Sequence, residues 1–544
     1  MPNAQLRLAD FPFHKLSNPL LQNSQVVSDT SNVTRSQGTF FTQFLDVVLG
    51  NANDSGSPVN LAINPDVFNI NGEKTRRVTG RNTPTNINAV FNYRNFWDGA
   101  QNEFNGNNPF GDRDPNANVL INSGGVLGKM QISLKNSSLA SQAVGPPNNG
   151  VEMAFDGPNA PGRDWKKLGK KMLSLTKPLA TQKVAIDDSV LGTPGLGLST
   201  GGTGLSTTYV ALIQQAFQPQ WWNGPGYVDA SGAFIDPQNV DPSRTNQYNQ
   251  MEYNFSMFWG LAIQAYEATL ISDDSPFDRF MAGNRTAMSS LAQKGMNIFT
   301  GKGHCLKCHN GAEFTDAAVS SIASQGIIQR VFAADGGTYV RDTGFHNISV
   351  RPTTDDPGQA GGDGITGAPL SVAQLAANGI NLYPTNLVVA PGERTGVHGA
   401  FKTPGLRNIE LTAPAFHNGG EKSPTDGVTF YARGGNFFNA NLADVDVDLE
   451  PRSLSTSDMQ ALVAFLQALT DARVKNQSAP FDHPELRIPN GHPGTQFSLQ
   501  DDGSGFGNAV TNFIPINATG RNGTVQPFTK FCLSLSNSTA AACQ

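Results

Sequence analysis

The chain has 544 residues, of which 38% are apolar and 15% charged, with a formal net charge of −6 at pH 7. That length accommodates two to four domains with full cores. No dense basic run accompanies the mild acidity, which excludes a nucleic-acid footprint, and no stretch approaches the roughly 20 continuous apolar residues of a membrane-spanning helix. With 57 glycines and 34 prolines, long ordered loops are expected around the packed elements.

Residues 1–80 read as loop-rich, with short apolar runs such as 40–49. The opening stretch has no basic start, apolar centre or small-residue cleavage site, so it does not read as a signal peptide. Residues 190–206 are glycine-rich but lack both a Lys-Ser/Thr ending and a preceding strand, and read as a loop rather than a phosphate cradle. The clearest helix carries Met251, Phe255, Phe258, Ala262, Tyr266 and Leu270 at three- and four-residue steps, with Pro276 as its stop. A second spans about 285–300, with Met288, Leu291, Gly295 and Phe299 on one face. A third begins near Ser455, where Ser455 and Asp458 have capping-box spacing, and Met459, Leu462, Val463, Leu466 and Leu469 line its apolar side. Residues 310–450 read as long loops with short helices, and beyond about 474 the chain becomes a polar, surface-wrapping tail.

The second helix leads into Cys305-Leu306-Lys307-Cys308-His309, the C-x-x-C-H form of c-type haem attachment. Two thiols three apart reach the two vinyl groups of one porphyrin edge, and the next residue offers its imidazole to the iron. A zinc site would need a second ligand pair, and Cys532 and Cys543 have the wrong spacing. A thioredoxin-like pair would need a βαβ context, and a disulfide across two residues would be strained. A small residue such as Gly295 on the preceding helix would let it cross the helix at 455–470 closely. Cys532 and Cys543 read either as a small disulfide loop or as two unpaired thiols.

Three blocks then resemble the bacterial di-haem cytochrome c peroxidase and MauG family: RNTPTNINAVFNYRNFWDG (81–99), GKGHCLKCHNGAEFTD (301–316), and FKTPGLRNIELTAPAFHNGG (401–420) with TFYARGGN and VAFLQALT behind it. The resemblance spans roughly 80–472, with insertions around 100–140 and 155–250. It implies a mostly α fold of two cytochrome-c-like domains: a remnant of the N-terminal haem domain over 1–270 and a C-terminal cytochrome c domain over 271–473, followed by the tail at 474–544. It also implies roles for single residues. Trp97 sits where the family has an electron-relaying tryptophan between haems, the alternative being an ordinary buried aromatic. Gln142 and Glu152 match polar residues over the peroxide-binding haem, where a carboxylate can pass a proton between peroxide oxygens; the alternative for Glu152 is a solvated loop carboxylate. Asn82, with the backbone oxygens of Thr412 and Pro414, resembles the family's calcium site, or else forms a loop cap.

His309 is the proximal ligand in this reading. Where family peroxidases place a methionine as distal ligand, this chain has Tyr431, as MauG-like members do, and a phenolate would lower the haem potential. The alternative is a Tyr431 hydrogen-bonded elsewhere, with Met459 as a fallback ligand whose helical spacing marks it as core. His417 and His346 are pocket or structural histidines. Lys74 lies in the stretch where many family members have a displaceable haem-ligating histidine, so the distal side of a first haem would be open without reductive activation.

No cysteine precedes Cys305, whereas the family has two C-x-x-C-H motifs. Together with the missing export signal, this leads to the expectation that the sequence starts downstream of a first motif; the rival is a mono-haem relative. The expected activity is reduction of hydrogen peroxide with electrons from a small donor such as a cytochrome c or cupredoxin, in the periplasm, by a protein that could form a homodimer. The alternatives are a MauG-like or rubber-oxygenase-like enzyme acting on a macromolecule, and a non-catalytic electron carrier. The cofactors implied are haem c and calcium.

Overall fold

Short helices joined by long loops carry the chain, as its glycine and proline content dictates. The computed structural model describes residues 3–4, 6–99, 101–158, 162–363, 367–380 and 387–524, so Cys532 and Cys543 lie outside the described residues. Its α-helices are α1 (Ser138–Ala143), α2 (Trp165–Leu173), α3 (Tyr209–Ala216), α4 (Gln250–Tyr253), α5 (Phe255–Glu267), α6 (Pro276–Met281), α7 (Ser290–Thr300), α8 (Val319–Gln325), α9 (Val372–Ala377), α10 (Pro424–Ala432), α11 (Thr456–Gln467) and α12 (Ala472–Lys475). Strands among the described residues form two-stranded antiparallel sheets only. The expectation of a mostly α fold is therefore corrected: helix accounts for only 25% of the chain. Gly-, Asn- and Pro-rich connections cannot hold an i→i−4 ladder, and they take up turns instead.

The periodicity at 251–270 yields two helices rather than one. Asn254, fully buried, breaks the run, because its side chain leaves the helix to serve other backbone. Its Oδ1 accepts from Leu120 N at 2.8 Å, and its Nδ2 donates to Leu120 O at 2.7 Å and Trp221 O at 2.8 Å. Pro276 is not a stop: α5 has already ended at Glu267, and Pro276 is the first residue of α6, where its missing N–H is harmless. The second predicted helix starts later than expected, at Ser290, because the Ser289 side chain caps it through Ala292 N. Leu291 is exposed rather than on the buried face, which Ala292, Gly295, Ile298 and Phe299 form instead.

α11 begins as its sequence indicates, with Ser455 and Asp458 capping each other. Ser455→Ala removes the acceptor for Asp458 N and leaves that donor unpaired; a loss of about 1 kcal/mol is expected in denaturant unfolding.

α7 and α11 cross in direct contact. A Cβ on Gly295 would lie 1.9 Å from Ala461 O, so only glycine permits the approach. Around this crossing, Phe299, Phe314, Phe465, Leu462 and Leu469 form one of the two largest apolar cores. The other gathers Phe104, Trp165, Leu168, Met251, Phe255 and Phe258, where α1, α2 and α5 meet. At the edges, Phe13 N donates to Gly420 O at 3.0 Å and Thr34 N to Asn418 O at 2.9 Å. Asn3 and His492 pair reciprocally, Nδ2 to carbonyl at 3.2 Å and N to Oδ1 at 2.9 Å. Among the described residues no helix is long and apolar enough to cross a membrane.

Candidate haem site

The pentad sits where α7 runs out. Gly303 N donates back to Ile298 O, His304 takes a positive φ of 56°, and Cys305–Lys307 form one turn of 3₁₀ helix. Such a turn puts Cys305, Cys308 and His309 on neighbouring faces; His309 N donates to Cys305 O at 2.9 Å. Both cysteines are free thiols and half-buried. Burial pushes the Cys305 thiol up to about 12.

His309 is buried, with Nδ1 3.0 Å from the carbonyl oxygen of Phe314. A carbonyl can only accept, so Nδ1 carries the proton and the Nε2 lone pair is the one left for a metal. Burial holds the imidazole below its ordinary pKa, partly offset by the backbone oxygens of Phe314 and Pro404, so it is neutral and able to ligate. Phe314 is itself fixed in the apolar core, its ring 5.2 Å from Phe277 and 6.0 Å from Phe299. Two free thiols at this spacing, followed by an imidazole anchored through Nδ1, fit a covalently tethered haem.

The three sequence blocks converge here. Tyr93 N donates to Ala317 O at 2.8 Å, next to the second block. Thr315 Oγ1 donates to Thr403 O at 2.7 Å, and Arg407 Nε to Ala312 O at 2.8 Å, tying the second block to the third. Asn82 N donates to His417 O at 2.8 Å and Lys402 N to Trp97 O at 2.7 Å, tying the first to the third.

Trp97 is buried, and its Nε1 donates to Asn82 O at 2.7 Å. Its ring meets His417 edge-on at 6.2 Å, and His417 stacks on Phe401 at 3.6 Å. Burial holds His417 below its ordinary pKa despite Asp356, whose Oδ2 is 2.7 Å from Nε2.

Asn82 and Pro414 come together as expected, but through a direct bond: Asn82 Nδ2 donates to Pro414 O at 2.7 Å and to Phe416 O at 3.2 Å. The hydroxyl of Thr412 is turned to Ile409 O at 3.4 Å. Asn82 thus meets Pro414 O directly through its amide nitrogen rather than across an ion. Among the described residues no group of three or more His, Cys, Asp or Glu is placed to hold a metal.

Tyr431 lies on α10, half-buried, with Phe430 at 5.3 Å and Phe416 at 6.1 Å. Burial pushes its phenol far up, and the nearby thiols of Cys308 and Cys305 push it further. No hydrogen bond to that phenol occurs among the described residues. Met459 packs into the core beside α7. Gln142 is half-buried on α1, and Glu152 N lies in a turn capped by Asn149 Oδ1. Burial raises the Glu152 carboxyl, with no cation opposing it, and no hydrogen bond joins the two side chains. Lys74 is buried, its ammonium donating to Phe41 O at 3.1 Å.

One network was not foreseen beyond His346 itself. His346 Nε2 donates to Asp316 Oδ2 at 2.7 Å, and its Nδ1 accepts from Arg341 Nη1 at 2.8 Å. Arg341 also pairs with Asp446, and Cys308 Sγ lies 3.5 Å from the same Nδ1. Burial works to raise the Asp316 carboxyl, but the hydrogen bond from His346 and the nearby guanidinium charge of Arg341 outweigh it and hold it low. The contributing residues lie on a hairpin (Ile328–Phe332 with Thr338–Asp342), on the strand Phe345–His346 and on separate loops, so no local spacing could announce them.

No family model matches the chain. Over 231 residues it is 29% identical to cytochrome-c peroxidase IdrP1 of Denitromonas iodatirespirans, covering 42% of this chain and 52% of that one. Over 225 residues it is 26% identical to methylamine utilization protein MauG of Methylorubrum extorquens, covering 41% and 46%. The solved structure of the diheme peroxidase BthA from Burkholderia thailandensis aligns over 83% of this chain and 98% of that chain, at 17% identity and a TM-score of 0.33. The chain spans about half the length of the curated relatives it matches. In these sequence matches, and in its C-x-x-C-H turn, the chain is similar to the cytochrome c peroxidases and MauG proteins.

Proposed function

We propose that this protein is a haem c oxidoreductase of the cytochrome c peroxidase type, reducing hydrogen peroxide with electrons from a small redox protein. The observation that carries the reading is the pentad: two free thiols and a neutral, Nδ1-anchored imidazole at the meeting point of three family-like blocks. When bound, a haem supplies one-electron and peroxide chemistry. The chain's own residues set the conditions for it. His309 would ligate through Nε2, and the Phe314 carbonyl fixes its orientation. Trp97, held by Asn82, is the aromatic proposed to pass electrons between haems. Glu152, raised by burial, is suited to hold and return a proton near peroxide, with Gln142 beside that task.

The two principal cores fall on either side of residue 270, which supports cytochrome-c-like domains over 1–270 and 271–473, with 474–544 as the tail. Attachment of haem to thiols implies an exported, periplasmic protein that carries one tethered haem in this sequence. Peroxide is the small-molecule partner, a cytochrome c or cupredoxin the donor, and a homodimer the proposed assembly.

Tyr431 favours a second reading, a MauG-like enzyme oxidising a macromolecule, because its phenol lies near both thiols without a protein partner. A phenolate there needs a cation beside it, and ferric iron would be one. Two measurements separate the readings. Steady peroxide-dependent oxidation of a reduced small cytochrome supports the first, and no turnover above a haem-free control sinks it. Tyr431→Phe is expected to shift the visible absorption of the ferric protein while the thioether tethers persist; an unchanged spectrum removes the tyrosine ligand and, with it, the second reading.

A further inference from the structure

We infer that Lys402 is the cationic anchor for a carboxylate of the haem tethered at Cys305 and Cys308, its Nζ donating to a propionate oxygen. This rests on the haem reading above and adds a residue to it.

Lys402 is only 5% exposed. The chain's other buried lysines all have partners: Lys170 reaches Glu252 at 3.2 Å, Lys171 reaches Asp54 at 2.6 Å, and Lys74 reaches Phe41 O at 3.1 Å. Among the described residues, the Lys402 ammonium makes no hydrogen bond or ion pair. Burial alone pushes it down, to about 8, with no anion opposing the shift. A lysine this little exposed, with no counter-charge, is unfavourable unless an anion joins it.

Its position says which anion. Lys402 lies on the strand Phe401–Lys402, opposite Phe345 of the strand Phe345–His346. Its own N–H is spent on Trp97 O at 2.7 Å. The next residue, Thr403, receives the Thr315 hydroxyl at 2.7 Å, and the Pro404 carbonyl faces His309. Lys402 is thus two residues from the wall that fixes the proximal imidazole. The cofactor that the pentad would tether brings two carboxylates, which makes one of them the natural counter-charge.

The test uses the exported full-length chain, wild type and Lys402→Met and Lys402→Arg. Intact mass first reports the tethered haem; its absence from the wild type overturns the haem reading and this proposal together. With haem attached, loss of the cation leaves a carboxylate uncompensated and favours ferric iron. Lys402→Met is then expected to lower the reduced-to-oxidised ratio at fixed potential about tenfold and to shift the propionate bending band in resonance Raman. Lys402→Arg should restore both. A tethered Lys402→Met protein with both readouts unchanged overturns the proposal. Should that variant fail to fold, the wild type decides alone: a propionate band that ignores exchange into deuterated water also overturns it.

Discussion

Gly295→Ala is expected to destabilise the protein by about 3 kcal/mol, although alanine is the better helix former by about 1 kcal/mol. The added methyl would lie 1.9 Å from Ala461 O, 2.5 Å from its carbonyl carbon and 2.8 Å from Phe465 Cβ. These are backbone and first side-chain atoms, which cannot swing aside as a lysine tip could. α7 must therefore move off α11, and Phe299 and Phe465, now 5.2 Å apart, lose their packing. Gly427→Ala on α10 is the matched control. It has nothing within 4 Å of the new methyl, so the same substitution there should stabilise by up to about 1 kcal/mol. Denaturant unfolding of both variants reads the opposite signs; equal effects would refute the crossing.

The double variant Cys305→Ser/Cys308→Ser is expected to lose all covalently bound haem, read as the mass of the intact denatured chain. Either single variant keeps one thioether and retains the haem mass in part. His309→Ala should keep both tethers yet lose the proximal ligand, changing the absorption spectrum without changing the mass. That pattern separates tethering from ligation. Haem mass persisting in the double variant would sink the assignment of the pentad.

How much of this was legible in the sequence depends on how local each feature is. The cap at Ser455, the small residue at 295 and the C-x-x-C-H turn are readable because each is complete within a few residues. The break at Asn254 was not, because its cause is the distant backbone of Leu120 and Trp221. Leu291 misled because it matches the helical period yet points to solvent, whereas Ala292 is the smaller residue that packs. The buried Asp316–His346–Arg341–Asp446 chain draws on positions up to 130 residues apart along the sequence, with no common spacing. The unpaired ammonium of Lys402 is a property of what surrounds it, and FKTPG alone does not reveal that.

The reciprocal pair between Asn3 and His492 joins residues 489 apart. Neighbouring bonds repeat the pattern: Gly491 N to Gln37 Oε1 at 2.8 Å, and Arg76 N to His492 Nε2 at 3.1 Å. Closing a loop of that size carries a large entropy that only other contacts can offset, so these bonds form after the interior is in place. The bonds of the first residues to this seam therefore require nearly all of the described chain, whereas hairpins such as His14–Leu16 with Val26–Asp29 can close locally. The same seam ties the two margins to each other, so a proteolytic nick near residue 492 should loosen the first residues as readily as the last.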